Sequence, residues 1–182
     1  AERKRIQEET FQHCKELKEI QCGDNAFPII RAENAHEGIT GIVAGKLKDI
    51  YEKPVIIATP CEGLLKGTGR STDKIDMFQI LDQYRELFIR FGGHHGACGF
   101  LMNEENFELF RKRANVDLEE RIKSEPDLVQ QQSQFDLEIT GFDMTLDFIE
   151  QLEMLEPFGC KNRRPVFCMQ AVKLSNRQKM GK

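Results

Sequence analysis

Three glycine-rich segments in the middle of the chain carry residue types that could hold an anion: residues 36–44, 67–71 and 91–99. Glycine lets a backbone approach a ligand closely, and the amide groups at the start of a helix attract negative charge. Arg70, in the second segment, could form two parallel hydrogen bonds with a phosphate. Taken singly, each segment is more typical of an ordinary turn, because glycine marks turns far more often than phosphate sites.

The third segment also contains a pair of histidines, His94 and His95, which suit either a turn or a metal site. A metal site needs further ligands at fixed spacing. The remaining histidines are His13 and His36, and no cluster of carboxylates is spaced to complete a ligand set. We therefore expect this chain to bind no metal ion or other cofactor.

Alternating strands and helices surround the three segments and would bring them to one edge of a sheet. Apolar spacing and turn residues predict helices over residues 2–20, 38–51, 76–91, 103–114 and 145–155. The same patterns predict strands over residues 26–31, 55–58, 65–71, 97–102, 135–139 and 166–174, with a glycine-rich turn over residues 92–99. The recurring order of strand, helix and strand indicates an α/β domain.

The composition suits a soluble globular protein, since 40% of the residues are hydrophobic and 31% are charged. We expect no membrane contact, because no apolar run is long enough to span a bilayer and no signal peptide is present. None of the six cysteines has CxxC spacing, so we expect free thiols in a reducing cytoplasm. The chain begins without methionine inside a predicted helix, which predicts a longer parent protein.

The net charge of −4 hides an uneven distribution. Residues 103–157 hold 15 acidic and 5 basic side chains, whereas residues 158–182 hold 7 basic and no acidic ones. A basic run of this kind indicates contact with a polyanion or a solvated terminus, and charge alone does not separate the two.

Taken in order, the glycine-rich segments resemble the DHH-associated domain of RecJ-type single-stranded-DNA exonucleases. That family's pattern is approximately HxGxxGIVA, then GSGRS, then FGGHxxAxG, and the counterparts here are HEGITGIVA, GTGRS and FGGHHGACG. Further along, LEPFG followed by Asn162, Pro165, Val166 and Phe167 resembles the LEPFGxGNPxPVF signature of the family's oligonucleotide-binding (OB) domain. The resemblance covers nearly the whole chain.

The chain departs from the family pattern at a few positions. Thr68 replaces a serine, and residues 34–35 stand where the family often has tryptophan. Lys161, Arg163 and Arg164 replace a glycine, a proline and often an acid, which adds positive charge to that loop. We expect these three basic residues to contact DNA.

The resemblance implies an α/β fold with a mixed sheet flanked by helices, followed by a partial OB-like β segment. It implies the end of an interdomain helix at residues 1–24 and a DHH-associated nucleic-acid-binding domain at 25–115. A linker at 116–134 and the partial OB-like domain at 135–182 would follow.

The resemblance also implies the substrate-binding portion of a 5′–3′ single-stranded-DNA exonuclease that acts in DNA repair and recombination. The catalytic domain, with its Mn²⁺ or Mg²⁺, would lie upstream, because this sequence has no Asp-His-His run. The chain alone would then be inactive. We expect a cytoplasmic monomer that binds single-stranded DNA, with a single-stranded-DNA-binding protein as a further partner.

The family pattern assigns phosphate or nucleic-acid contacts to eight residues of the glycine-rich segments: His36, Gly67, Gly69, Arg70, Ser71, Gly92, Gly93 and His94. His94 would also act as the catalytic contact with the phosphate near the scissile bond. Alternatives within the same superfamily are an oligonucleotide or cyclic-dinucleotide phosphodiesterase and a non-catalytic replication scaffold. The OB signature argues against the phosphodiesterase, and also against a tRNA-editing appendage.

Overall fold

A five-stranded mixed sheet organises the first of two units into which this chain divides, residues 1–130 and 131–182. The computed structural model describes residues 2–129, 135–159, 162–173 and 175. The strands of the sheet are β1 (Ile29–Arg31), β2 (Val55–Cys61), β3 (Leu64–Arg70), β4 (Phe88–His94) and β5 (Ala97–Met102). They lie in the order β1-β2-β3-β5-β4, with β1 parallel to β2 and the remaining pairs antiparallel.

Helices cover both faces of this sheet. They are α1 (Glu2–Cys22), α2 (Glu37–Tyr51), α3 (Met77–Asp82) and α4 (Phe107–Ser124). Alternate residues of β2 point to opposite faces, as the geometry of a strand requires. Val55 and Ile57 pack in the apolar cluster with α1 and α2, while Ile56 and Ala58 pack in the cluster with α3 and α4. Because both faces of β2 are covered, its first five residues are all buried.

Two short hairpins set the register of the antiparallel strands. Glu62 and Gly63 connect β2 to β3 with φ angles of 51° and 79°, as a two-residue hairpin turn of type I′ requires. His95 and Gly96 connect β4 to β5, and β5 then lies between β3 and β4. The chain thereby places the second and third glycine-rich segments on neighbouring strands.

The predicted fold class, a mixed sheet flanked by helices, is confirmed, but the helix predicted over residues 76–91 is wrong beyond Asp82. A 3₁₀ turn over Arg85–Leu87 follows α3, and Phe88–His94 is a strand. The glycine-rich turn predicted over residues 92–99 is therefore confined to residues 95 and 96. The helix predicted over residues 103–114 begins at Phe107 and continues to Ser124.

The second unit contains a short parallel ladder and one helix: β6 (Leu137–Glu138), β7 (Phe167–Cys168) and α5 (Leu146–Glu153). Thr145 caps α5 by accepting a hydrogen bond from the Phe148 amide at 3.2 Å. The side-chain amide of Asn162 donates a hydrogen bond to the Leu155 carbonyl at 2.7 Å and stabilises the LEPFG turn. Within the described part of the chain, no helix is long and apolar enough to cross a bilayer.

Candidate nucleic-acid interface

One face of the sheet is open where β5 and β4 extend beyond α2. We call it the open face, and it is the face on which α2 packs against β2 and β3. Three residues of β4 are exposed on this face: Arg90, Gly92 and His94. On β5, Cys98 and Phe100 point to the opposite face, where they are buried. Alternation along the strands therefore determines which residues a ligand could reach.

Three cross-strand rows form the open face, each with one residue from β3, β5 and β4. The first row is Arg70, Ala97 and His94; the second is Thr68, Gly99 and Gly92; the third is Lys66, Leu101 and Arg90. Since neighbouring strands lie about 4.8 Å apart, the Cα atoms of the first and last residues of a row are roughly 10 Å apart. Basic side chains border the rows, and glycines form the floor.

A groove of about 610 Å³ lies over this floor. Its lining includes Lys66, Thr68, Arg90, Gly92 and Gly99. The lining contains two cations, Lys66 and Arg90, and two carboxylates, Glu37 and Glu62. The glycine floor suits a phosphate backbone, because the absent side chains let a ligand lie against the sheet beside the cations.

Arg70 is half-buried at the end of β3, beside the first turns of α2. Its Nη1 donates to the Gly69 carbonyl at 2.8 Å. A Cβ atom at Gly41 would lie 2.7 Å from Arg70 Nη2, so glycine at this position of α2 makes room for the guanidinium. Among the described residues, no ion pair includes Arg70, and its remaining donors are suited to an added anion.

His94 and His36 hold their imidazole rings in the same way. The His94 Nδ1 accepts from the Gly96 amide at 3.3 Å, and the His36 Nδ1 accepts from the Gly38 amide at 3.1 Å. These bonds assign the proton of a neutral ring to Nε2, which leaves an N–H donor on each exposed histidine. His36 is also the N-cap of α2.

His95 has a different environment from its neighbour His94. Its Nε2 lies 2.8 Å from the Asp73 carbonyl, and its Nδ1 lies 3.5 Å from Asp76 Oδ2. Asp76 also caps α3 by accepting from the Gln79 amide at 3.1 Å. His95 therefore fastens the hairpin to the start of α3.

A Cβ atom at either glycine of the second segment would point away from the groove, although Gly67 itself lines it. A Cβ atom at Gly67 would overlap the ring of Phe100, and one at Gly69 would lie 3.2 Å from side-chain atoms of Ile56 and Met77. Both positions point into the core formed with α3 and α4. Packing alone explains why these two positions are glycine.

Ser71, the last residue of that segment, is 5% exposed. Its hydroxyl donates to the Ile75 carbonyl at 2.6 Å within the loop before α3. The structure therefore places Arg70 on the open face, beside the groove, but gives the predicted phosphate donor Ser71 an internal hydrogen bond instead.

Gly92 and Gly93 are adjacent but have different surroundings. No atom lies within 4 Å of a Cβ placed at Gly92, so this position is open to a ligand. Gly93 has a φ angle of 151°, and a Cβ there would overlap the Ala97 carbonyl. Gly93 is thus required by the hairpin, whereas Gly92 belongs to the floor of the groove.

Lys66 and Arg90 are groove residues that the sequence prediction missed. The alternation of β3 places Lys66 on the same face as Thr68 and Arg70, which is a signal that the sequence contains. Lys66 Nζ lies 2.7 Å from Glu37 Oε2. The hydrogen bond from Lys66 holds the pKa of Glu37 below its ordinary value.

The basic residues predicted to contact DNA near the C-terminus belong to the second unit. Lys161 lies outside the described residues, as does most of the basic run that follows. Arg163 is exposed. Arg164 Nη2 lies 3.8 Å from Glu156 Oε1, and its guanidinium lies 5.2 Å from the Phe158 ring centroid. Within the described ranges, no group of three or more His, Cys, Asp or Glu side chains is arranged to hold a metal ion.

Comparison with known proteins matches both units to families. A model described as the DHHA1 domain matches residues 25–120, and one described as the RecJ OB domain matches residues 135–182. The single-stranded-DNA-specific exonuclease RecJ of Bacillus subtilis is 29% identical over 99% of this chain, and that of Escherichia coli is 31% identical over 72%. The chain spans 23% of the length of each.

Solved structures give the same result. The crystal structure of RecJ from Thermus thermophilus in complex with Mg²⁺ matches 91% of this chain with a TM-score of 0.71 and 28% identity. The complex with Mn²⁺ matches 92% with a TM-score of 0.72 and 27% identity. These matches cover 25% and 24% of the respective RecJ chains.

Proposed function

Because this chain belongs to the DHHA1 domain family and continues into a RecJ OB domain, we propose that it is the single-stranded-DNA-binding portion of a RecJ-type exonuclease. The parent enzyme would degrade DNA in the 5′–3′ direction during repair and recombination. The resemblance predicted from the glycine-rich segments is confirmed by the family models and relatives. The RecJ OB match favours this function over a phosphodiesterase that lacks such a domain.

The observation that carries the proposal is the first cross-strand row. Arg70 and His94 flank Ala97, whose small side chain leaves space between them. A phosphate lying across Ala97 would accept two hydrogen bonds from the Arg70 guanidinium and one from the His94 Nε2–H. The open position at Gly92 would let the sugar-phosphate backbone approach the sheet. His36 lines a different pocket, together with Arg3 and Ile6 of α1, so its contact with the nucleic acid stays a prediction.

The described residues of this chain do not fit a catalytic metal site, since their acidic and imidazole groups form no suitable cluster. The parent would use Mg²⁺ or Mn²⁺ held by a separate domain, and such metals activate water and stabilise charge at phosphorus. The residues of this chain would bind and orient the phosphate that those metals act on. His94 would be the residue of the open face that contacts the phosphate near the scissile bond.

The proposal extends to location and assembly. Cys14, Cys22 and Cys98 are buried as free thiols, which fits a reducing cytoplasm. We also propose that the protein acts as a monomer and contacts a single-stranded-DNA-binding protein. Light scattering with and without that protein would test both points.

A double-mutant cycle tests the shared phosphate site. Arg70→Ala, His94→Ala and the double variant would be titrated with a 5′-phosphorylated oligonucleotide. Loss of a charged hydrogen bond should weaken binding by roughly 1.5 to 3 kcal/mol in each single variant. If both residues hold one phosphate, the double variant should lose less than the sum by more than about 0.5 kcal/mol. Full additivity would indicate separate sites, and silence of both variants would refute the proposal.

Nuclease activity provides a second test. We expect the purified chain to release no nucleotides from a labelled single strand in the presence of Mn²⁺ or Mg²⁺. Arg70→Ala is the matched background, because a contaminating nuclease would be unaffected by it. Metal-dependent release by the unmodified chain above that background would show that the chain is catalytic by itself.

A further inference from the structure

The third cross-strand row places two cations in the groove, at the end of β3 opposite Arg70. Lys66 of β3 and Arg90 of β4 flank Leu101 of β5, in the same way that Arg70 and His94 flank Ala97. All three residues line the groove. Arg90 is exposed, and Leu101 is half-buried and offers an apolar surface between the two charges.

Two carboxylates, Glu37 and Glu62, also line the groove, and Glu37 forms an ion pair with Lys66. Glu37, the first residue of α2, contacts Lys66, and both side chains are about half exposed, at 49% and 45%. The hydrogen bond to Glu37 raises the pKa of Lys66, while the positive charge of Arg90 acts in the opposite direction. The row itself contains two cations, Lys66 and Arg90, and no carboxylate, while Glu37 and Glu62 lie elsewhere in the groove lining.

The distance between the two basic rows exceeds what a single phosphate can bridge. Arg70 and Lys66 are four residues apart on β3, so their Cα atoms are separated by roughly 13 Å. Between them lies the second row, with the glycine floor formed by Gly99 and Gly92. A ligand that engages both ends must carry several phosphates along an extended backbone.

We propose that Lys66 and Arg90 form a second anion subsite, which binds a phosphate further along the same single strand that Arg70 holds. The subsite rests on the proposed function, because it assumes that Arg70 holds a phosphate. Lys66 exchanges its Glu37 partner for the phosphate when the strand is bound. Glu37 then opposes binding, since its carboxylate lies beside the phosphate that displaces it.

The test compares ligands of increasing length on the complete 182-residue chain. Thymidine 5′-monophosphate and 5′-phosphorylated thymidine tri- and hexanucleotides would be titrated by NMR or calorimetry at low salt. The variants are Arg70→Ala, Lys66→Ala, Arg90→Gln and Glu37→Gln. Lys112→Ala is the control for loss of one positive charge, because Lys112 is exposed on α4, on the opposite side of the sheet.

We expect Arg70→Ala to weaken all three ligands. Lys66→Ala and Arg90→Gln should leave the mononucleotide within about twofold and weaken the hexanucleotide by about fivefold, since an exposed charge contributes modestly. Each should also reduce the slope of log K against log salt for the hexanucleotide by about 0.7. Glu37→Gln should act in the opposite direction and strengthen hexanucleotide binding by about twofold.

Each result decides between the two proposals. Equal effects of Lys66→Ala on every ligand length, or effects no larger than those of Lys112→Ala, would overturn the second subsite while leaving the Arg70 site intact. A silent Arg70→Ala variant would overturn the proposed Arg70 site, and the subsite with it, because the subsite is defined by the strand that Arg70 holds. Thermal melting of each variant would confirm that it folds.

Discussion

The two faces of the sheet use glycine for different purposes. On the face covered by α3 and α4, Gly67 and Gly69 leave space for the side chains of Phe100 and Met77. On the open face, Gly92 has no protein atom within 4 Å of its missing side chain, and Gly99 has only the Gly67 carbonyl at 3.5 Å. Gly67 and Gly69 therefore allow close packing in the core, whereas Gly92 and Gly99 leave the surface of the sheet accessible to a ligand.

A sequence motif can therefore combine residues that pack the core with residues that contact a ligand. The segment GTGRS alternates along β3, so a Cβ atom at either glycine would point into the core, while Thr68 and Arg70 lie on the open face and Thr68 lines the groove. The same five residues thus pack the strand against the core and place the arginine on the open face. A substitution in the motif should therefore affect either stability or binding, according to the face on which it lies.

The largest expected effect is on stability at Gly67. In Gly67→Ala the new methyl group would overlap the Phe100 ring, and overpacking of this kind should cost about 2 to 3 kcal/mol. Urea unfolding followed by circular dichroism would measure it. Gly92→Ala is the matched control, and its stability should change by less than about 0.5 kcal/mol. Equal losses in the two variants would contradict the assignment of the two faces.

Cysteines on the two faces of the sheet should also differ in their rates of alkylation. Burial raises the pKa of Cys14 to about 11 and also raises the pKa of Cys98, which lies under the hairpin. At pH 8, Cys14 should react with iodoacetamide about a hundredfold more slowly than an ordinary thiol, because less thiolate is present. Cys61 lines the groove and is half-buried, so it should react before Cys14 and Cys98.

Peptide mapping by mass spectrometry would identify the modified cysteines. A saturating oligonucleotide should slow the reaction of Cys61 and leave those of Cys14 and Cys98 unchanged. Protection of Cys98 alone would place the ligand on the other face of the sheet.

The α/β order and the location of Arg70 could be predicted from sequence because local patterns contain them. The helix predicted over residues 76–91 could not be corrected in this way. Phe78, Leu87 and Phe88 match one helical face, but the Phe88 ring stacks at 4.7 Å on Phe100, a contact that exists only after the hairpin forms. Tertiary packing decided between two patterns that fit equally well.

The candidate site was predicted in part for a related reason. Arg70 and His94 were expected near one another, and the register places them in one row. Lys66 was missed although the alternation of β3 already indicates its face. Arg90 was missed because pairing across three strands depends on register and on the irregularity between Phe88 and Arg90. Neither feature can be derived from one strand's own sequence.

A larger side chain at Gly92 should affect binding without affecting stability. Gly92→Val introduces a β-branched residue that suits a strand, so the free energy of unfolding should change little. The side chain would occupy the floor of the groove and should weaken oligonucleotide binding by about tenfold, or about 1.4 kcal/mol. Unchanged binding, measured beside the Arg70→Ala variant, would show that the strand does not lie on this floor.

The smallest expected effect is on the salt dependence of binding, after deletion of part of the basic C-terminal run. Residues 173–182 include four basic and no acidic side chains, and they could attract DNA without forming a defined site. Each phosphate neutralised on a single strand contributes about 0.7 to the slope of log K against log salt. Deletion of residues 173–182 should flatten that slope for a long oligonucleotide, yet leave the loss caused by Arg70→Ala unchanged, because a diffuse attraction and a structured phosphate site act independently.

Binding of the truncated chain and its Arg70→Ala variant would be measured over a range of salt concentrations. An unchanged slope after truncation would show that the run does not contact the strand. A truncated chain insensitive to Arg70→Ala would show that the run, and not the open face, provides the attachment.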